Sequence, residues 1–295
     1  MTHQSIQRSS LGHLQTNLQR MSDLQAKLSR GTTVGVPSDD PAATSDILAL
    51  DRQTARTAQY QRNAQDATTW LNVADSTLQQ SVTATTRART LLVQAGDGAL
   101  GREQLGSIAT ELEGLRETLL AQANTSVNGR TVFAGASDAG VAFDAATYAY
   151  RGRAADGSVT PVERRLAEAV TVRVDGDGAA AYGEGADSVF AVLDAAAAAL
   201  RSGNPDIGAL LGTVDGRLAA LQSANAAVGA RQKQVEVAQE SLADQALSTK
   251  TQLSSVQDID LASVVLDLQS QEVAYKSALS ATARTLQPSL LEFLR

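Results

Sequence analysis

Proline is scarce in this chain, and its placement divides the sequence. The five prolines are Pro37, Pro41, Pro161, Pro205 and Pro288, so residues 42–160 and 206–287 contain none. Proline removes an amide donor and clashes with the preceding helical turn, so long gaps permit long helices. The first gap up to Ala95, and nearly all of the second, are rich in Ala, Leu, Gln, Arg and Glu, which favour helix. Frequent Thr and Ser lower that propensity in the first.

Periodicity places the helices. Leu11, Leu14, Leu18, Met21 and Leu28, with Leu24 alongside, form one apolar helical face over residues 11–28. Ser38-Asp39-Asp40-Pro41 then reads as a helix start, with Asp40 as the cap and Pro41 at the first helical position. That helix runs to about Ala95 with a stripe of Ala67, Trp70, Leu71, Ala74, Leu78, Val82, Ala88 and Leu92. At ~1.5 Å per residue it is about 80 Å long, more than a globular domain of this size spans, so a rod is expected. Gly96-Asp97-Gly98 ends it, and another helix is expected from about Glu103 to Ser126.

Residues 129–185 differ in character. Nine of the 22 glycines fall there, and six of the ten aromatic residues lie between Phe133 and Phe190. Val170-Thr171-Val172-Arg173-Val174 alternates as a half-buried strand does, with Tyr148-Ala149-Tyr150 and Val159 to Val162 as weaker strands. The segment reads as a compact β-rich domain inserted between helices.

Helix returns from Asp187 to Arg201 and breaks at Ser202-Gly203-Asn204-Pro205. From Asp206 to about Leu253 one heptad position is apolar five times running, at Val214, Leu221, Val228, Val235 and Leu242. Its partner position reads Leu218, Asn225, Gln232, Gln239 and Ala246, where an ordinary coiled coil is apolar. This half-polar seam is weak alone and suited either to hydrogen bonds or to packing several helices. A last helix spans about Asp258 to Leu286, with Leu261, Val264, Val265, Leu268, Tyr275 and Leu279 facing one way, before Pro288 and the apolar tail Ser289 to Leu294. The expected fold is mainly α with a small β-rich inserted domain: a rod of long antiparallel helices in a coiled-coil-like bundle formed by the N- and C-terminal segments. Its parts are an N-terminal assembly helix and turn (1–40), a helical rod (41–128), a β-rich outer domain (129–186), a returning rod (187–253) and a C-terminal assembly helix (254–295).

The two ends carry opposite charge. Residues 1–30 hold Arg8, Arg20, Lys27 and Arg30 against Asp23, net +3, while residues 254–295 hold Asp258, Asp260, Asp267, Glu272 and Glu292 against Lys276, Arg284 and Arg295, net −2. Two readings are open. These are solvated charged faces on one ordinary core, or a helix pair whose exposed apolar faces bind other chains. Periodicity by itself favours the first.

Composition closes several chemical routes. Cysteine is absent and the two histidines, His3 and His13, lie near the N-terminus, far in sequence from any carboxylate cluster. No thiolate nucleophile, disulfide or Cys-ligated metal is available, and a His-based triad or metal site is not expected. With a formal net charge of −7 and only four lysines, nothing supplies the basic patch that nucleic acid requires. No apolar stretch is long enough to span a membrane, and the N-terminal residues do not read as a cleavable signal peptide. Gly96-Asp97-Gly98-Ala99-Leu100-Gly101 matches a dinucleotide fingerprint literally, but a long helix precedes it where that fold needs a strand. Asp175-Gly176-Asp177-Gly178 opens like a calcium loop, yet Ala179 and Ala186 occupy later ligand positions, so it reads as a turn. Asn124-Thr125-Ser126 fits a glycosylation sequon, a triplet common by chance, and Trp70 reads as a core residue. No catalytic, cofactor or metal site is expected.

The motifs do match a known pattern. Leu24-Gln25-Ala26-Lys27-Leu28-Ser29-Arg30-Gly31, followed by Val36-Pro37-Ser38-Asp39-Asp40-Pro41-Ala42-Ala43, resembles the opening of the flagellin superfamily, as do Gln61 to Ala67 with Trp70-Leu71. Val256-Gln257-Asp258-Ile259-Asp260-Leu261-Ala262 is similar to its C-terminal acidic segment. Pro41 after the aspartate pair, Gly129-Arg130-Thr131-Val132-Phe133-Ala134-Gly135, and the ending Gln287-Pro288-Ser289-Leu290-Leu291-Glu292-Phe293-Leu294 resemble the hook-associated protein 3 family rather than flagellins. So does Val189 to Asp194 running into Leu200 to Gly203; Thr131-Val132 departs from that family's aromatic-aliphatic pair.

The resemblance implies a structural protein, not an enzyme: an adaptor ring of copies of this chain joining the hook, through hook-associated protein 1, to the flagellin filament outside the cell. It also implies an export chaperone and passage through the flagellar type III channel. A minor flagellin is the alternative within the class; an enzyme with a grafted site or a coiled-coil signalling rod would need features not seen. The expected assembly residues are Leu14, Leu18, Met21, Leu28, Asp39, Asp40, Pro41, Asp258, Leu261, Val265, Leu268, Tyr275, Leu290, Leu291 and Phe293. Short amphipathic helices are marginal in water, so residues 1–30 and 258–295 are expected to order only among neighbours.

Overall fold

The computed structural model describes residues 3–96, 100–154, 157–203 and 206–286, with side chains from 8 to 283 of these. Helices dominate: α1 (His3–Arg30), α2 (Pro41–Ala95), α3 (Arg102–Ala123), α4 (Gly178–Tyr182), α5 (Val189–Ser202), α6 (Ile207–Gln257) and α7 (Leu261–Leu286). Strands β1 (Ser126–Val127) and β2 (Arg130–Thr131) form one antiparallel pair, and β3 (Glu163–Ala167) and β4 (Val170–Arg173) another. The chain is thus mainly α with a small β-rich insert. It divides into two units, residues 1–57 with 245–295 and residues 58–244.

The 58–244 unit holds a dense core. From α2 it buries Ala64, Ala67, Trp70, Leu71, Ala74, Leu78, Ala88 and Leu92; the expected stripe residue Val82 packs at its edge. α6 buries every seventh residue, Val214, Leu221, Val228, Val235 and Leu242, as its heptad requires. Two of the three polar partner positions hydrogen-bond to α2: Gln232 Nε2 donates to Asn72 Oδ1 at 3.1 Å, and Gln239 Nε2 to Thr68 Oγ1 at 3.1 Å, while the buried Oδ1 of Asn225 has no hydrogen-bond partner among the described residues. α3 and α5 pack together through buried residues such as Leu112, Leu119, Leu193 and Leu200.

Helix α3 stops at Ala123, short of the expected Ser126, because Asn124 turns away to hold the insert. Its Oδ1 accepts from the amides of Ala142 and Phe143, both at 2.8 Å, and its Nδ2 donates to the Phe143 carbonyl at 3.1 Å. The first residue of the sequon-like triplet is therefore a clamp.

The insert departs from the sequence expectation in three ways. Tyr148 to Tyr150 is not a strand: Tyr148 has φ of +54°, and one isolated bridge joins Phe143 to Tyr150. The second hairpin strand is Glu163–Ala167, one residue beyond the expected Val159–Val162. Its polar sequence hides it, because its contacts are ionic: Arg164 pairs with Asp66 at 2.6 Å, with its guanidinium 5.9 Å from the Trp70 ring centroid. In the alternating run, Val172 and Val174 are buried but Val170 is 48% exposed. Third, the insert is not self-contained. Phe133, Phe143 and Tyr182 cluster with Phe190 of α5 at centroid distances of 5.2–5.9 Å, and the Tyr182 hydroxyl lies 2.8 Å from Ser81 Oγ of α2. One core runs through helices and insert.

Asp175 to Gly178 is a turn, and its composition is steric. The buried Asp175 carboxylate accepts from the Val162 amide and from Arg173, and Asp177 caps α4 by accepting from the Ala180 amide at 3.0 Å. A Cβ on Gly176 would stand 2.5 Å from the Phe133 ring, and one on Gly178 2.5 Å from the Phe133 carbonyl oxygen. Only hydrogen fits at either place.

Candidate assembly surface

The other unit is built on α1 and α7, which pack as an antiparallel pair. The half-covered residues of α1 are Ser10, Leu14, Asn17, Met21, Leu24 and Leu28, and those of α7 are Val264, Leu268, Gln271, Tyr275, Ala278 and Thr282, besides a few flanking neighbours. Both sets alternate spacings of three and four, a heptad seam. Gln271 Nε2 donates to Asn17 Oδ1 at 3.2 Å in the middle of it.

Each helix carries a second apolar stripe outside the seam. Leu11 and Leu18, seven apart on α1, are 56% and 42% exposed. On α7, Leu266 and Val273, also seven apart, are 65% and 64% exposed, with Leu261, Val265 and Leu279 open beside them. The faces read as single stripes in the sequence are thus split: Leu14, Met21, Leu28, Leu268 and Tyr275 enter the seam, while Leu18, Leu261 and Val265 face outward. Among the described residues, every buried hydrophobic side chain lies between Ala64 and Leu242, so this unit contributes none.

The helix-connecting turns are fixed by hydrogen bonds. Gly31 ends α1 at φ of +73°, donating to the Lys27 carbonyl. Thr33 N donates to Gln257 O at 2.8 Å, Ile259 N to Gly31 O, and the Thr33 hydroxyl to Val256 O, tying the two turns together. Asp39 accepts from the amides of Gly35 and Val36. These bonds, aided by Arg30 and Lys27, hold its carboxyl below the usual carboxylate range. Asp40 caps α2 by accepting from Ala42 N and Ala43 N at 3.0 and 2.9 Å, with Pro41 at the first helical position, and Asp260 does the same for α7. Asp258 accepts from Ser254 Oγ and bridges to Thr32.

Comparison with known proteins decides what this arrangement belongs to. The bacterial flagellin N-terminal helical region matches residues 2–138 and its C-terminal helical region residues 211–294. Flagellar hook-associated protein 3 of Salmonella typhimurium is 30% identical over 287 residues, covering 89% of this chain and 88% of that protein. The chain belongs to the flagellar hook-associated protein 3 family. The Escherichia coli protein of that name is 36% identical over 129 residues, 41% of each chain. A solved flagellar hook-associated protein from Vibrio parahaemolyticus shares the fold with a TM-score of 0.66 at 20% identity, covering 75% of this chain and 100% of that one. FlgL of Bacillus cereus does so with a TM-score of 0.59 at 23% identity, covering 70% and 99%.

In this family member the expected residues Leu14, Leu18, Met21, Leu28, Leu261, Val265, Leu268 and Tyr275 come together on α1 and α7. Asp39, Asp40, Pro41 and Asp258 sit at the two turns. Leu290, Leu291 and Phe293 lie outside the described residues. Sequence reasoning missed Leu266 and Val273, whose seven-residue spacing was a usable signal, and Thr33, whose bonds to Val256 and Gln257, more than two hundred residues away in sequence, leave none.

Proposed function

We propose that this protein is a structural subunit of the bacterial flagellum, an adaptor joining hook to filament. Copies of it form a ring between hook-associated protein 1 and flagellin outside the cell. The chain reaches that place through the flagellar export channel, with an export chaperone on its C-terminal helix. The observation that carries this reading is the terminal unit: a paired helix seam with a second apolar stripe on each helix and no buried hydrophobic side chain among the described residues. Exposed apolar faces of this extent mark interaction surfaces. In the assembly, Leu18, Leu261 and Val265 meet neighbouring chains, and the Asp39-Asp40-Pro41 and Asp258 turns set the angle at which the helices leave. Such a role uses packing and needs no catalytic centre.

Deletion of the gene in its host, followed by electron microscopy, tests this. Hooks without filaments, with unpolymerised flagellin in the medium and recovery on complementation, are expected. Intact filaments in the deletion strain would overturn it. Long filaments grown from the purified chain alone would favour the flagellin alternative.

A further inference from the structure

The β3–β4 hairpin has two chemically different ends. At its base Glu163 pairs with Arg173, and the chain continues into Asp175 and Asp177. Beside that base lies a cleft of about 470 Å³, walled on the α6 side by Ala220, Ala224 and Ala227 and lined also by Arg173, Asp177 and Arg231.

The charged groups there are unequally engaged. Arg173 grips the buried Asp175 carboxylate through two bonds, at 2.9 and 2.7 Å. Asp177 uses one oxygen to cap α4. Arg231 donates from Nη1 to the Asp175 carbonyl at 2.9 Å and forms no ion pair among the described residues. That bond engages one of the five N–H donors in its fork. Burial, with Arg173 close by, pushes the Arg231 pKa down, against the opposing pull of the Asp175 and Asp177 carboxylates. A half-buried guanidinium against an alanine wall fits a carboxylate flanked by an apolar side chain.

Such a pair stands at the other end of the same hairpin. Glu168-Ala169-Val170 forms the tip, all three residues exposed, and the Glu168 carboxylate makes no hydrogen bond or ion pair among the described residues. The tip lies about 16 Å from the base, five residues at ~3.3 Å each, so a copy cannot fill its own cleft. We propose that the hairpin tip of one copy docks in the cleft of the next, Glu168 pairing with Arg231 and Val170 packing on Ala220, Ala224 and Ala227. Tip and cleft are different surfaces, so the contact is heterologous, the kind that closes into rings. It rests on the self-assembly reading above and adds a contact outside the terminal helices.

The chain has no cysteine, so Ala169→Cys with Ala227→Cys introduces its only thiols. Flagella are isolated from cells in which this full-length variant replaces the native chain, mildly oxidised and run without reductant. A ladder of reducible multimers is expected. Coexpressed single-cysteine variants should give dimers, since that bond forms only between copies. Adding Glu168→Arg, at an exposed side chain with no partner to lose, should cut multimer yield at least about tenfold, the factor for ~1.4 kcal/mol. Monomer alone, from flagella that contain the variant, would overturn the proposal. So would multimers undiminished by Glu168→Arg, or formed by either single variant by itself. A wild-type chain absent from flagella would instead bring down the assembly reading, and this contact with it.

Discussion

The terminal helices and the 58–244 unit use the same heptad pattern with different results. On α6, Val214, Leu221, Val228, Val235 and Leu242 are 0–4% exposed. On α1 and α7 the corresponding positions are only half covered, and a second apolar stripe stands open beside them. An apolar stripe therefore specifies that a helix has a partner without saying whether the partner is in the same chain. Where helices and insert converge, the chain supplies it; at the two ends it supplies one side.

The contrast breaks most easily at the aromatic cluster. Phe190→Ala should cost ~3–5 kcal/mol in thermal unfolding of the monomer, the range for a buried phenylalanine. Leu266→Glu with Val273→Glu should leave monomer stability within about 0.5 kcal/mol while preventing incorporation into flagella. Equal losses in both would erase the distinction between the two regions. Next in size is Gly178→Ala, where the added Cβ meets the Phe133 carbonyl. A cost of ~1–3 kcal/mol is expected by denaturant unfolding, as for overpacking. Asp40→Ala removes the α2 cap, worth ~1 kcal/mol, and should impair assembly more than export, measured as secreted against filament-associated protein.

Much of this was legible in the sequence. Proline gaps located the long helices, Asp40-Pro41 located the start of α2, and the α6 heptad foretold its buried column; of the two roles open to its polar column, Gln232 and Gln239 take hydrogen bonding. What escaped shares a physical reason. Strand β3 is held by Arg164 against Asp66 and Trp70, partners about a hundred residues away, which periodicity cannot register. The insert looked independent because its glycines and aromatics are its own, but Tyr182 and Phe143 pack against Phe190, a residue of α5. At the ends, one helical stripe in sequence became two faces in space, because α7 covers only part of α1.

Alkaline titration sharpens the comparison from another side. Burial, with Asp177 and Asp175 nearby, pushes the Tyr150 phenol up to about 12, above ~10 for an exposed phenol. Folding raises this pKa, so its stabilising contribution is whole below pH ~10 and is lost as pH climbs through about 12. Fluorescence of Trp70, the single tryptophan and part of this core, should follow that loss between those pH values. A core insensitive to pH there would contradict the burial. The smallest effect belongs to the seam: Asn17→Leu with Gln271→Leu should stabilise the α1–α7 pair slightly and relax its register, seen as higher helicity by circular dichroism.

On this reading the chain ends complete their packing only among neighbours. Hydrogen exchange on the dilute monomer tests it most directly. Rapid exchange is expected across residues 8–30 and 261–283 and slow exchange across the buried positions from Ala64 to Leu242, with the ends becoming protected in assembled flagella. Strong protection of both ends in the dilute monomer would show that α1 and α7 already form a finished structure, and would contradict it.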